Sequence, residues 1–378
     1  PLITHARGID PASPYRTTFK MSNNVVIDPQ YWQNVAGYLN DSGVVGYEQD
    51  WLDVNATAAN NIDDQEAFMG NMANYCNDRG ISLQYCMPTP RHYLQSSRYN
   101  NAYTVRVSPD RFDRSRWDQA LYSSVLASSL GLWPWVDVFQ SNETSNILLA
   151  TLSAGMVGVG DQIGSANADN LLKSVRGDGA IVKPDRPLVP IDSTILADAI
   201  DGLQHPMVAA AFTDFGSTKA AYVFAYVRNF PDNSASFTPA SLGFTGNVYV
   251  YDYVAGTGTV IDAGQSFTRT ISDWAYYVVV PIGPSGIAFL GDGGQFVTLG
   301  KQRIPLVADS GKLTATVALS AGETSRTLFG YAPATPSVTA EGGQAGPIEY
   351  DSRTGLFKFQ VSGSGPRSVQ ITVTDPSS

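Results

Sequence analysis

The stretch VVGYEQDWL, residues 44 to 52, opens on two valines and ends with Glu48 and Asp50 two apart and Trp51 beside them. Side chains alternate across a strand, so Glu48 and Asp50 share one face, and at the C-terminal end of a parallel strand that face can open into a barrel mouth. The surrounding sequence repeats this arrangement. Short apolar runs, ISLQYCM (81–87), AYTVRV (102–107), WPWVDVF (133–139) and GMVGVGD (155–161), alternate with longer amphipathic segments over 62–79, 117–130, 144–154 and 167–175. Such alternation is the grammar of a parallel sheet wrapped by helices. In the 62–79 segment, Ile62, Phe68, Met72 and Tyr75 are spaced along a helical stripe, and Gly80 closes it.

Near residue 205 the pattern changes. NVYVYDYV (247–254), DWAYYVVVPI (273–282), KLTATVAL (312–319), LFKFQV (356–361) and SVQITVTD (368–375) alternate β-branched and aromatic residues between Gly, Pro, Asn and Asp. This is the signature of antiparallel sandwiches. The expected fold class is therefore α/β plus all-β: the later strands of a (β/α)8 TIM-type barrel over residues 1–204, a β-sandwich over 205–290, and a second β-rich unit or a continuation of the sandwich over 291–378.

Composition narrows the function. With 378 residues, 43% hydrophobic and 11% aromatic, the chain can bury a large core. A formal charge of −10 repels phosphate backbones and anionic lipid, which argues against a nucleic-acid partner. No run approaches the ~18 apolar residues of a membrane span, and no apolar stretch follows a basic start as in a signal peptide. A secreted or periplasmic location is nevertheless the expectation. Cys76 and Cys86 are too few for a disulfide framework and read as buried free thiols. His5, His92 and His205 lie far apart with no ligand spacing, so neither a structural metal nor an organic cofactor is expected.

Polar residues gather where the strands end. Asp50, Asp110, Asp137 and Asp161 each follow or close a strand candidate, and Trp51, Trp133 and Trp135 lie near them. Carboxylates among aromatics suit a sugar, whose apolar ring face stacks on indole while its hydroxyls donate to Asp or Glu. Any one of these acids is more simply read as a solvated loop residue or a cap; their recurrence at successive strand ends favours a site. Asp161 reads slightly better as a cap of the turn into QIGSAN.

At these residues the chain resembles a known group. VRVSPD, residues 105 to 110, fits the Arg-x-x-x-Asp pattern of the α-galactosidase clan of retaining glycoside hydrolases. CMPTPRHYLQ, VRVSPDRF, WPWVDVFQSNE, SAGMVGVGDQIG, LLKSV and GDGAIVKPDRPLVPID follow in the order and approximate spacing of the raffinose synthase and α-galactosidase family, over residues 44 to 192. The resemblance implies Asp50 as nucleophile and Asp110 as general acid/base, with Arg106, Trp135 and Asp137 lining the sugar subsite. It implies an exo-acting α-glycosidase, α-galactosidase-like, acting on oligosaccharide or polysaccharide ends. Retaining chemistry is consistent with two carboxyl groups, one attacking the anomeric carbon and one protonating the leaving oxygen.

Two features depart from the family. Members commonly carry Lys-x-Asp where this chain has Glu48-Gln49-Asp50, so an anion replaces a cation that would bind sugar hydroxyls. Glu48 and Trp51 are then expected to bind substrate, Glu48 about two residues' rise, ~6.6 Å, deeper than Asp50 and offset by a cation such as Arg106. The strand candidates also number at most six, against the eight of a closed barrel, so an upstream segment or a second chain is expected to complete it. Two alternatives stand beside hydrolysis: a raffinose synthase-type transglycosidase, in which a sugar hydroxyl intercepts the covalent intermediate, and a catalytically retired carbohydrate-binding protein. A structural α/β-plus-β protein that touches no glycan is the third and least favoured alternative.

Overall fold

The computed structural model describes residues 2–228 and 232–375. They divide into two compact units, one holding the chain up to Phe112 together with Ser123–Asp137, the other Asp113–Tyr122 and the chain from Val138 onward. In the first unit five parallel strands, Leu2–Ala6, Val44–Gln49, Ser82–Tyr85, Ala102–Arg106 and Trp133–Trp135, lie side by side in their sequence order. A doubly wound sheet reverses direction at a switch point, whereas a barrel winds one way. The unbroken order is the barrel kind of winding, here an arc of five strands.

Local sequence explains why each helix hands over to the next strand. Asp28 accepts from Gln30 N at 2.9 Å and Pro29 supplies a preset φ at the first position, so the helix Pro29–Asp41 starts cleanly. Its Trp32, Ala36 and Leu39 are buried, with the Trp32 indole N–H donating to Val26 O at 2.8 Å. Gly43 at φ +77° then turns the chain into Val44–Gln49, and Gly80 at φ +68° does the same between the helix Ile62–Asn77 and Ser82–Tyr85. The 62–79 stripe holds for Phe68 and Met72, both buried. Ile62 departs from it at 85% exposed, because it opens the helix beside the N-cap Asn61.

The second unit holds the remaining strand-like segment and the large antiparallel sheets, the two-stranded Met21–Ser22/Val25–Val26 pair belonging to the first. GMVGVGD, expected as a strand, makes only a parallel bridge between Val159 and Phe139. Gly158 and Gly160 lack the side chains that stabilise a strand, and a Cβ on Gly160 would stand 2.0 Å from Val138 Cγ2. A six-stranded sheet runs Thr257–Ile261, Val248–Asp252, Trp274–Pro281, Lys219–Tyr226, Met207–Asp214, Arg186–Pro190, so antiparallel structure begins ahead of residue 205. Val223, Phe237, Val250, Phe267 and Tyr277 belong to its core. From Ala288 on, a five-stranded and a four-stranded sheet follow, the latter ordered Leu306–Asp309, Leu313–Leu319, Arg367–Thr374, Ser337–Glu341. No helix among the described residues is long and apolar enough to cross a membrane.

A buried ion cluster ties this last region. Arg303, fully buried, reaches Glu323 at 2.6 Å and Asp292 at 3.1 Å. Glu323 serves both Arg303 and Arg326, so Glu323→Gln leaves two guanidinium groups to the one Asp292 carboxylate and is expected to cost about 3 kcal/mol in urea unfolding. A variant as stable as wild type would show the cluster to be dispensable.

Candidate active site

Cross-strand register builds the site in two layers. His5, Glu48, Gln84, Thr104 and Trp133 are successive partners across the five parallel strands, and so share one face. Two residues further along each chain come Arg7, Asp50, Cys86, Arg106 and Trp135, the last two also register partners. Side chains recur on a face every second residue, so this second row stands above the first at the C-terminal ends of the strands. Five strands of unrelated local sequence thereby present a band of polar and aromatic groups at one end of the sheet.

Asp50, 8% exposed, is the most engaged of these carboxylates. Its Oδ2 accepts from His5 Nε2 at 2.9 Å, its Oδ1 from the Trp51 backbone N–H at 2.8 Å, and the Cys86 thiol lies within hydrogen-bonding reach. Burial pushes the Asp50 carboxyl up, but the Cys86, His5 and Trp51 donors together outweigh it and hold the group below the usual carboxylate range. Burial, with the bond to Asp50, pushes the Cys86 thiol up, so it stays protonated as a donor. Glu48 shows the opposite balance. Burial raises its carboxyl and the neighbouring Asp50 charge adds to this, against hydrogen bonds from Cys86 and Gln84 and the influence of His5.

Arg106 organises the other half of the site. Almost fully buried, it contacts Asp110 Oδ1 through Nη2 at 2.5 Å, Asp137 Oδ2 through Nη1 at 2.8 Å and Cys86 Sγ through Nη1 at 3.0 Å, while Nε donates to Ser108 O at 2.6 Å. Asp110 is itself 81% exposed, held at the rim by that guanidinium contact. The Trp135 indole N–H is buried without a hydrogen-bond partner among the described residues, a donor a ligand or water could use. Asp161 lies in the second unit and accepts from Ser141 N and Oγ at 2.9 and 2.8 Å, a capping role.

Several expectations change here. Arg106 does not offset Glu48; its charge is spent on Asp110 and Asp137, and the group facing the Glu48–Asp50 pair is His5. Glu48 is also closer than a strand rise suggests: one ligand atom each of His5, Glu48 and Asp50 lie within 4.8 Å of one another, near enough to share a cation. Linear spacing hid that grouping, because residue 5 meets residues 48 and 50 only through parallel pairing. Cys86 is the buried free thiol expected of it, and its place at the end of the strand ISLQYCM sets it in the row with Asp50 and Arg106. Both cysteines are buried and free. Glu48→Gln is expected to raise KM or alter sugar preference with little change in kcat; kinetics on α-galactosides and α-glucosides check this, and unchanged constants would make Glu48 structural.

No protein-family model matches the sequence, and comparison with curated proteins finds no relative. Among solved structures, the chain is similar to a GH27 β-L-arabinopyranosidase of Geobacillus stearothermophilus (13% identity, TM-score 0.49), covering 67% of this chain and 61% of that one. It is similar to the isomalto-dextranase of Arthrobacter globiformis T6 complexed with panose (14% identity, TM-score 0.47, 92% and 70% covered). A Bacillus halodurans protein assigned as an α-N-acetylgalactosaminidase aligns at 13% identity and TM-score 0.48, with 74% of each chain covered. The chain thus spans about three fifths of the length of the arabinopyranosidase.

Proposed function

We propose that this chain carries the catalytic strand ends of a retaining α-glycosidase, α-galactosidase-like, that removes terminal α-linked sugars from oligo- or polysaccharides outside the cytoplasm. One observation carries the reading: Asp50 and Asp110, each following a different strand, stand at the same end of the sheet, where buried Arg106 donates both to Asp110 and to Cys86, the thiol in the row beside Asp50. In this reading an Asp50 oxygen attacks the anomeric carbon as the bond to the leaving oxygen breaks, and Asp110 gives that oxygen its proton. The glycosyl–aspartate ester is then cleaved by a water whose proton returns to Asp110. A buried, multiply hydrogen-bonded Asp50 suits the ionised nucleophile, and a rim carboxyl such as Asp110 suits exchange of protons with leaving group and solvent.

The decisive experiment is trapping with 2-deoxy-2-fluoro-α-galactosyl fluoride, followed by peptide mass spectrometry, run beside a screen of aryl α-glycosides. An adduct on Asp50 is expected. Turnover without an adduct on Asp50, or no turnover of any α-glycoside, would overturn the reading.

A pH prediction follows from the donors around Asp50. Because its folded-state carboxyl is depressed, Asp50 stays ionised into acid, and the acid limb of kcat/KM is expected below the ordinary carboxylate range. His5→Ala removes a donor to the anion, so the limb is expected to move to higher pH. A limb that stays in place would remove His5 from the tuning of Asp50.

A further inference from the structure

Beside Asp50 lies a cleft of about 320 Å³, lined by Arg7, Ile9, Asp10, Asn24, Trp51 and Asn55. We infer that it is a second sugar subsite, receiving a neutral pyranose ring next to the one that faces Asp50; this rests on the glycosidase reading of Asp50. The volume is at the small end of ligand sites, about 300–1,000 Å³, and suits one ring rather than an extended chain.

The wall of the cleft is built at a cost. Trp51 has φ +59°, a left-handed conformation that costs a non-glycine residue about 1–3 kcal/mol and persists only where the surroundings impose it. They do so here: Trp51 O accepts from the backbone N–H groups of Val54, Asn55 and Ala56 at 3.2, 3.1 and 2.8 Å, and its own N–H is bonded to Asp50 Oδ1. One kink therefore sets the carboxylate of residue 50 and the indole of residue 51 at the same time. The facing loop is pressed close, since a Cβ on Gly8 would stand 2.6 Å from Asn55 O. The cleft is thus formed by backbone and is present before any ligand arrives.

Apart from the contact of Arg7 over the Trp51 ring, its polar groups are unspent. The Arg7 guanidinium lies 4.7 Å from the Trp51 ring centroid, and no carboxylate among the described residues pairs with it. The side-chain amides of Asn24 and Asn55 make no hydrogen bond among the described residues, and Asp10 uses one oxygen to accept from Ala12 N at 2.7 Å, leaving the other. Donors from Arg7, donor and acceptor from each Asn, and an acceptor from Asp10 match hydroxyls, which both donate and accept. An anion would meet Asp10, and a cation would meet Arg7. The part of the Trp51 ring that Arg7 leaves uncovered adds an apolar surface for the ring face of a pyranose, whose hydroxyls meet the polar set.

The test reads binding, not turnover. The full chain labelled with 5-fluorotryptophan gives resonances for its six tryptophans, and Trp51→Phe identifies the one from Trp51. With Asp110→Asn to block hydrolysis, the protein is titrated with melibiose, isomaltose, maltose and lactose, and with digalacturonate as an anionic comparator. A saturable shift of the Trp51 resonance with a neutral disaccharide is expected, and Arg7→Ala or Asn55→Ala should weaken it about fivefold or more. No shift up to about 100 mM of any neutral disaccharide, equal affinity in both variants, or tighter binding of digalacturonate would overturn the subsite. Failure of the glycosidase reading shows separately, as a missing adduct on Asp50 in the trapping experiment.

Discussion

Asp50→Asn is expected to lower kcat on aryl α-glycosides by at least about 10⁴-fold, because the amide has no anionic oxygen to attack the anomeric carbon and no other group in the site can take its place. Glu48 is the nearest carboxylate, but it springs from a position two residues deeper and is raised by burial, so it is the less ionised of the pair. The fold should survive the change. Asn is nearly isosteric with Asp, and the lost charge sits opposite an exposed His5, 53% accessible, not opposite a buried cation. Steady-state kinetics with thermal unfolding as the control checks this, and a stable variant working at wild-type rate would remove Asp50 from the chemistry.

The second large effect concerns the rim. Asp110→Ala is expected to reduce turnover by about 10²–10⁴-fold on substrates whose leaving group needs a proton, and far less on glycosyl fluorides, which need little acid assistance. Azide should restore rate on the fluorides, because a small anion can enter the face that the leaving group vacated and attack the glycosyl–Asp50 ester without a general base. That entry keeps the α configuration, so the product to seek by NMR is the α-glycosyl azide. A β-azide would mean that the roles of Asp50 and Asp110 are exchanged. Loss of Asp110 also removes one of two carboxylates from buried Arg106, and Asp137 at 2.8 Å remains to pair with it, so the guanidinium is not left alone.

Much of this was open to reading along the chain, for a physical reason. Parallel strands and their helices differ in period, and left-handed glycines such as Gly43 and Gly80 mark the hand-over, so VVGYEQ, ISLQYCM and AYTVRV could be placed as strands with Asp50 and Asp110 beyond their ends. Arg106 and Asp110 were legible as a pair in the Arg-x-x-x-Asp stretch, but the turn after the strand Ala102–Arg106, in which Ser108 O accepts from Arg106 Nε, is what brings them into contact. What spacing along one chain cannot hold is register between strands. Pairing of Leu2–Ala6 with Val44–Gln49 sets His5 against Glu48 and Asp50, pairing of the next two strands sets Cys86 between Asp50 and Arg106, and the left-handed turn at Trp51 brings its ring under the Arg7 guanidinium. Residue types and their periods determined which side chains stand at the strand ends. Only the tertiary structure decided which of them touch, because hydrogen bonds and ion pairs act over about 3 Å while the partners lie tens of residues apart in sequence.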